Sequence, residues 1–127
     1  MKKLLLFTCI LFCLSSYSQE VFTYSRCECS KYNIFTNDFD IVDFARSTEV
    51  TVIIYKSTLQ IYTDGVLTEF TCGNARADEN AIYFSDANNT SYYKNLFFLS
   101  LDGAVFMTTY IDERNLSNSF NIIFFKY

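Results

Sequence analysis

Residues 26–30 read Arg-Cys-Glu-Cys-Ser, and a further cysteine, Cys72, follows about 45 residues on. Thiols at this spacing suit three chemistries. In an extended segment Cys27 and Cys29 project to one face, because the side-chain period of a strand is two. A structural bridge from Cys72 to one of them, in an exported protein whose compartment permits disulfides, would close the intervening loop. The chain-entropy model gives such a loop roughly 4 kcal/mol of stabilisation. A tight Cys27–Cys29 bridge is the alternative, and either choice leaves one thiol for an intermolecular bond. A zinc site built from Cys27, Cys29, Cys72 and a carboxylate such as Glu28 would lack a second close-spaced pair. A redox pair activated by Arg26 and Lys31 would be opposed by Glu28, which raises a thiol pKa. The structural reading is therefore the expectation, with Cys27, Cys29 and Cys72 as disulfide candidates and their connectivity open.

Histidine is absent. That removes Ser-His and Cys-His nucleophiles together with the commonest transition-metal ligand. The run Asp38-Phe39-Asp40-Ile41-Val42-Asp43 invites a calcium reading, with Asp38, Asp40 and Glu49 at positions 1, 3 and 12 of a twelve-residue loop. Position 5 is then Val42, and position 6, which needs glycine for its sharp turn, is Asp43. A solvated acidic face is the better account. Carboxylate-pair hydrolysis has raw material in 14 acidic residues, but no two are marked as facing each other across a cleft. No catalytic residue, cofactor or metal ligand is assigned. Asn88-Asn89-Thr90 and Asn115-Leu116-Ser117 match glycosylation sequons, and in a bacterial protein they read as turns.

The elements that must position any site begin after residue 18. Residues 1–18 have the layout of a secretory signal peptide: Lys2 and Lys3, then an apolar run from Leu4 to Leu14, then Ser16 and Ser18 before a cleavage point at Gln19. The ending Ser-Tyr-Ser-Gln-Glu resembles bacterial signal peptides. The run is shorter than the roughly 20 residues needed to cross a bilayer as a helix, so no transmembrane span is expected after cleavage. The expected location is the periplasm, the cell surface or the medium.

Without Lys2 and Lys3, residues 19–127 carry eight basic against 14 acidic side chains. A net charge of −6 argues against nucleic acid, which wants a basic face. Phe and Tyr make up nearly a fifth of the chain, with no proline and three glycines, so one domain with a packed core is expected. From Glu49 the pattern is period two. Asp64-Gly65 and Asp102-Gly103 mark hairpins, Asp64-Gly65 as a tight type I′ turn. Polar connections at 73–80, 86–90 and 112–118 separate the remaining runs. The expected fold is all-β: an antiparallel meander of about seven strands, as a small sandwich, half-barrel or barrel. Its domain spans 19–127, with a Cys-bearing segment at 19–48 ahead of a meander at 49–127. Within 36–47 the reading leans to a helical turn, with Thr36 or Asn37 as N-cap and Asp38 and Asp40 in the first turn, over an irregular strand.

The last three strands are apolar on both faces, which calls for cover by the N-terminal segment, by the curled sheet itself or by a partner. An exposed strip containing Phe97, Phe98, Phe106, Tyr110, Phe124 and Phe125 is the candidate binding face. The aromatic end at Tyr127 resembles the closing strand of outer-membrane barrels, which need at least eight strands of about ten residues. About seven shorter ones set that fold aside. The functional expectation is a non-enzymatic binding or interaction module of the cell envelope or secretome. Its alternatives are a small enzyme using carboxylates or thiols, and an oligomeric envelope component with a homodimer or envelope partner.

Overall fold

The computed structural model describes residues 19–126, apart from the side chains of 43–46, and the expected signal peptide lies outside the described residues. Eight antiparallel strands follow in chain order: β1 (Gln19–Asn33), β2 (Asp38–Tyr55), β3 (Thr58–Thr63), β4 (Val66–Ala77), β5 (Ala81–Asp86), β6 (Tyr93–Ser100), β7 (Val105–Asp112) and β8 (Phe120–Phe125). Each pairs with the one before it, and β8 returns to β1, closing a barrel. The closing ladder runs from Arg26 opposite Phe125 to Lys31 opposite Phe120. The expected all-β meander is present, closed rather than stacked as a sandwich, and the segment 19–48 supplies β1 and part of β2 as wall.

Turn chemistry explains the hairpins. Asp64 and Gly65 both hold positive φ, 50° and 80°, as a two-residue I′ turn requires. At the second Asp-Gly only Gly103 does. There the Asp102 carboxylate accepts hydrogen bonds from the Ala104 N–H at 3.0 Å and the Ser100 hydroxyl at 2.7 Å, shaping a wider turn. A Cβ at Gly103 would stand 2.9 Å from the Phe22 ring, so both φ and space demand glycine.

The expected helical turn within 36–47 is not formed. Asn37 lies in the left-handed region (φ 56°), inside the β1–β2 turn, and β2 begins at Asp38. Phe39 pairs with Tyr32 across the ladder, ring against ring at 5.4 Å, edge to face. Cross-strand pairing on β1 outweighs a weak local cap, because such pairs stabilise a sheet directly.

Period two sends one set of side chains inward. Val52, Leu59 and Phe106 have no solvent exposure, and Val50, Ile82 and Leu99 have almost none. Phe106 sits in a stack of rings: Phe97 at 6.4 Å, Phe124 at 6.0 Å and Tyr24 at 6.2 Å. The curled sheet thus covers the inner face of the late strands. On the outer face Tyr83, Phe98, Met107 and Ile123 form one cross-strand row, half-buried against each other. The expected count of about seven strands is exceeded, and their lengths are uneven: β1, β2 and β4 have 15, 18 and 12 residues, and β3, β5 and β8 have six each. Among the described residues no helix is long and apolar enough to cross a membrane.

The turns at 34–37, 64–65, 87–92 and 113–119 gather at one end of the barrel, the upper end. There the β1–β2 hairpin overshoots. β3 pairs only with Val50–Tyr55 of β2, so the part of β2 above Val50, up to Asp38, pairs with β1 alone. Its tip exposes Ile34, Phe35, Ile41 and Val42.

Candidate functional site

The inward positions do not fill the barrel evenly. Below the level of Phe106 they are packed, whereas above it a cavity of about 220 Å³ remains. The register orders its wall in layers. Phe97, Thr108 and Ile122 stand side by side across β6, β7 and β8, and one step higher stand Asn95, Tyr110 and Phe120. Ile61 and Thr63 of β3, with Thr68 and Phe70 of β4, complete the lining, and Phe124 forms part of the floor. The deep layer is therefore apolar apart from Thr108, and the layer nearer the mouth carries the amide of Asn95 and the hydroxyl of Tyr110 beside the Phe120 ring.

Those polar groups are uncommitted. Among the described residues the hydroxyls of Thr63, Thr68, Thr108 and Tyr110 and the amide of Asn95 make no side-chain hydrogen bond within the protein. Asn95 is nevertheless fixed, because Asn89 clamps its peptide. The Asn95 N–H donates to Asn89 Oδ1 at 2.8 Å, and Asn89 Nδ2 donates to the Asn95 carbonyl at 3.1 Å. Tyr110 is tilted against Phe120 at 5.3 Å. Burial, then the nearby Asp112 carboxylate, then Tyr93 push its pKa above the ordinary phenol value, so it stays a hydrogen-bond donor at neutral pH.

No Lys, Arg, Asp or Glu is among the lining residues. Asp112 is the next inward residue of β7 above Tyr110, and it is occupied: its carboxylate accepts from the backbone N–H of Arg114 at 3.0 Å and of Asn115 at 3.2 Å, and from Asn118 Nδ2 at 3.4 Å. Of the cations near the mouth, Lys31, the ladder partner of Phe120, is exposed at the rim, and two others are engaged outside it. Lys94 pairs with Glu113 at 3.3 Å, and the Arg114 guanidinium lies over the Tyr92 ring at 4.5 Å.

One side of the wall is not a ladder. The β4–β5 pairing begins at Cys72 opposite Asp86, and the β5–β6 pairing reaches no higher than Ser85 opposite Leu96. Above that level the turn at 87–92 spans the interval, with the Ala87 N–H donating to the Thr71 carbonyl at 2.7 Å and Asn89 holding the Asn95 peptide, while the rings of Phe70 and Phe97 meet inside at 5.0 Å.

Strand alternation divides the six expected binding aromatics. Phe97, Tyr110 and Phe124 line the cavity and Phe106 lies fully buried in the stack beneath them. Phe98 and Phe125 point outward, Phe98 against Tyr83 at 5.4 Å and Phe125 beneath the Arg26 guanidinium at 5.1 Å. They form no continuous exposed strip.

The three cysteines do not converge as a pair. None is bridged to another. Cys72 lies on β4, three strands round the barrel from β1, which holds Cys27 and Cys29. Two residues of one extended strand are about 6.6 Å apart at their Cα atoms, near the upper limit for a disulfide. Cys27 is buried, and all three pack with the core. Burial first and Asp86 second push the Cys72 thiol up to about 12. Among the described residues no three His, Cys, Asp or Glu side chains cluster as metal ligands.

The polar members of the lining, Thr63, Thr68, Asn95 and Thr108, escape a sequence reading aimed at aromatics. Their signal is parity: Thr108 lies in phase with Phe106 and Tyr110, and Asn95 in phase with Phe97 and Leu99. Polar residues on the inward phase of an otherwise apolar strand mark a cavity rather than a filled core. Compared with protein-family models, curated proteins and solved structures, the chain matches none.

Proposed function

We propose that this chain is a non-enzymatic binding module of an exported bacterial protein, and that it carries a small, largely apolar molecule in the upper lumen of its barrel. The observation that supports this reading is the layered cavity, lined by five uncommitted polar side chains, with Phe97, Ile122 and Phe124 deep and Asn95 and Tyr110 nearer the mouth. An eight-stranded barrel either fills its interior with side chains or holds one small ligand, and this one fills only its lower part. A cavity of about 150 Å³ takes benzene, so this one suits a molecule of about ten non-hydrogen atoms. A ligand of that size binds with a Kd on the order of 10 μM to 1 mM, after the cost of association.

Thermal unfolding of the exported protein, titrated with ethylbenzene and related small aromatics, tests the reading. A saturable rise in Tm is expected, and it should vanish in Thr108→Phe, whose ring occupies the cavity. No rise with any compound of that size, or an unchanged rise in Thr108→Phe, would defeat it.

A further inference from the structure

Resting on that reading, we propose that the upper lumen selects uncharged amphiphiles, each with a small aromatic or aliphatic body and one hydrogen-bonding head such as an amide or alcohol, and rejects carboxylates of the same shape. The body is placed by the apolar layer of Ile61, Phe70, Phe97, Ile122 and Phe124. The head then lies at the level of Asn95 and Tyr110, which stand opposite each other across β6 and β7. Asn95 offers both a donor and an acceptor, the complement of an amide or alcohol.

A carboxylate would lose its hydration on entry and find no cation to replace it. The lining carries none, Lys94 is paired with Glu113, Arg114 is stacked on Tyr92, and Lys31, the ladder partner of Phe120, is exposed at the rim, where water screens its charge. The nearest fixed charge is the Asp112 carboxylate, held above Tyr110 by three donors, so it repels a second anion. An ammonium head is attracted by the Asp112 charge, but the oxygens of Asp112 are already engaged by the turn that follows β7, so its donors lose hydration without direct replacement. A site that leaves a polar head without its complement discriminates by more than a site that merely fits an apolar body.

Isothermal titration of the exported protein with phenylacetamide, phenylacetate, phenethylamine and ethylbenzene at neutral pH separates the possibilities. Phenylacetamide should bind at least tenfold more tightly than phenylacetate and more tightly than phenethylamine. Asn95→Leu should remove that preference while ethylbenzene still binds. Tyr110→Phe, which keeps the ring, should weaken phenylacetamide several-fold and serves if the Asn95 variant does not fold. Phenylacetate or phenethylamine binding as tightly as the amide would overturn the selectivity and leave the cavity reading standing. An amide preference untouched by both substitutions would also overturn it. Failure of ethylbenzene and all three others to bind would overturn the cavity reading itself.

Discussion

Tyr24 places a hydroxyl where nothing in the protein bonds to it. The side chain is 2 % exposed, its ring packs on Phe106 and Phe124, and its oxygen neither donates nor accepts a hydrogen bond within the protein. A buried hydroxyl in that state costs about 1–3 kcal/mol of desolvation, whereas the ring contributes packing with or without its oxygen. Tyr24→Phe removes the penalty and keeps the volume, so stabilisation by about 1–2 kcal/mol is expected. In a domain of this size that is a Tm rise on the order of 5 °C.

The pH profile gives an independent check. Burial first, then Asp102, raise the Tyr24 pKa above the ordinary phenol value of 10.0. A group whose folded pKa is raised holds its full contribution below the unfolded pKa and loses it as pH climbs towards the folded value. The gap between variant and wild type should therefore be constant below about pH 9.5 and widen above pH 10 in favour of phenylalanine. Urea unfolding followed by tyrosine fluorescence and circular dichroism, at a series of pH values, reads both. A Tyr24→Phe protein less stable than wild type by 1 kcal/mol or more would show that the hydroxyl is satisfied and the reasoning wrong.

Gly103→Ala should destabilise by about 1–3 kcal/mol, since it combines a left-handed φ with displacement of the Phe22 ring; denaturant midpoints measure it, and a neutral result would mean that Phe22 yields freely. Cys72→Ala should remove an alkaline loss of stability. With the thiol raised from 9.0 to about 12, wild type weakens as pH rises above 9. Discounted for its partial exposure, that loss is about 1 kcal/mol between pH 8 and pH 10.5 relative to the variant, measured by urea unfolding at both.

Much of this fold is local, and the local part is readable. Asp64-Gly65 fixes its hairpin because few residue pairs accept two positive φ values, and the alternation of Val50, Val52 and Ile54 fixes which face is core. What is not local is not readable. Phe39 and Ile41 alternate with acids in a way that suits a capped helical turn as well as a strand, and only the presence of Tyr32 across the ladder decides. Closure depends on Arg26 meeting Phe125, a pairing between distant parts of the chain that no turn residue announces. The Lys56-Ser57 turn lacks the usual glycine or asparagine cue, although Lys56 takes φ 55°. The cysteines mislead for a physical reason: a shared face within a strand says nothing about which strand stands opposite. For the cavity, the sequence supplies the inward phase of Asn95 and Thr108, but the space beside them exists only once β3 and β4 stand across the lumen.

The mouth of the cavity sets a timescale. Where ladder hydrogen bonds hold a barrel wall, admitting a guest means breaking several of them together, a collective event of microseconds to milliseconds or slower. Here the cavity opens at the upper end beside Asn95, Tyr110 and Phe120, and passage by that route leaves the strands paired as they were. Exchange of a small molecule with the lumen is thereby uncoupled from unfolding: it can be fast in a barrel whose core amides exchange slowly. The barrel can be rigid as a scaffold and quick as a container.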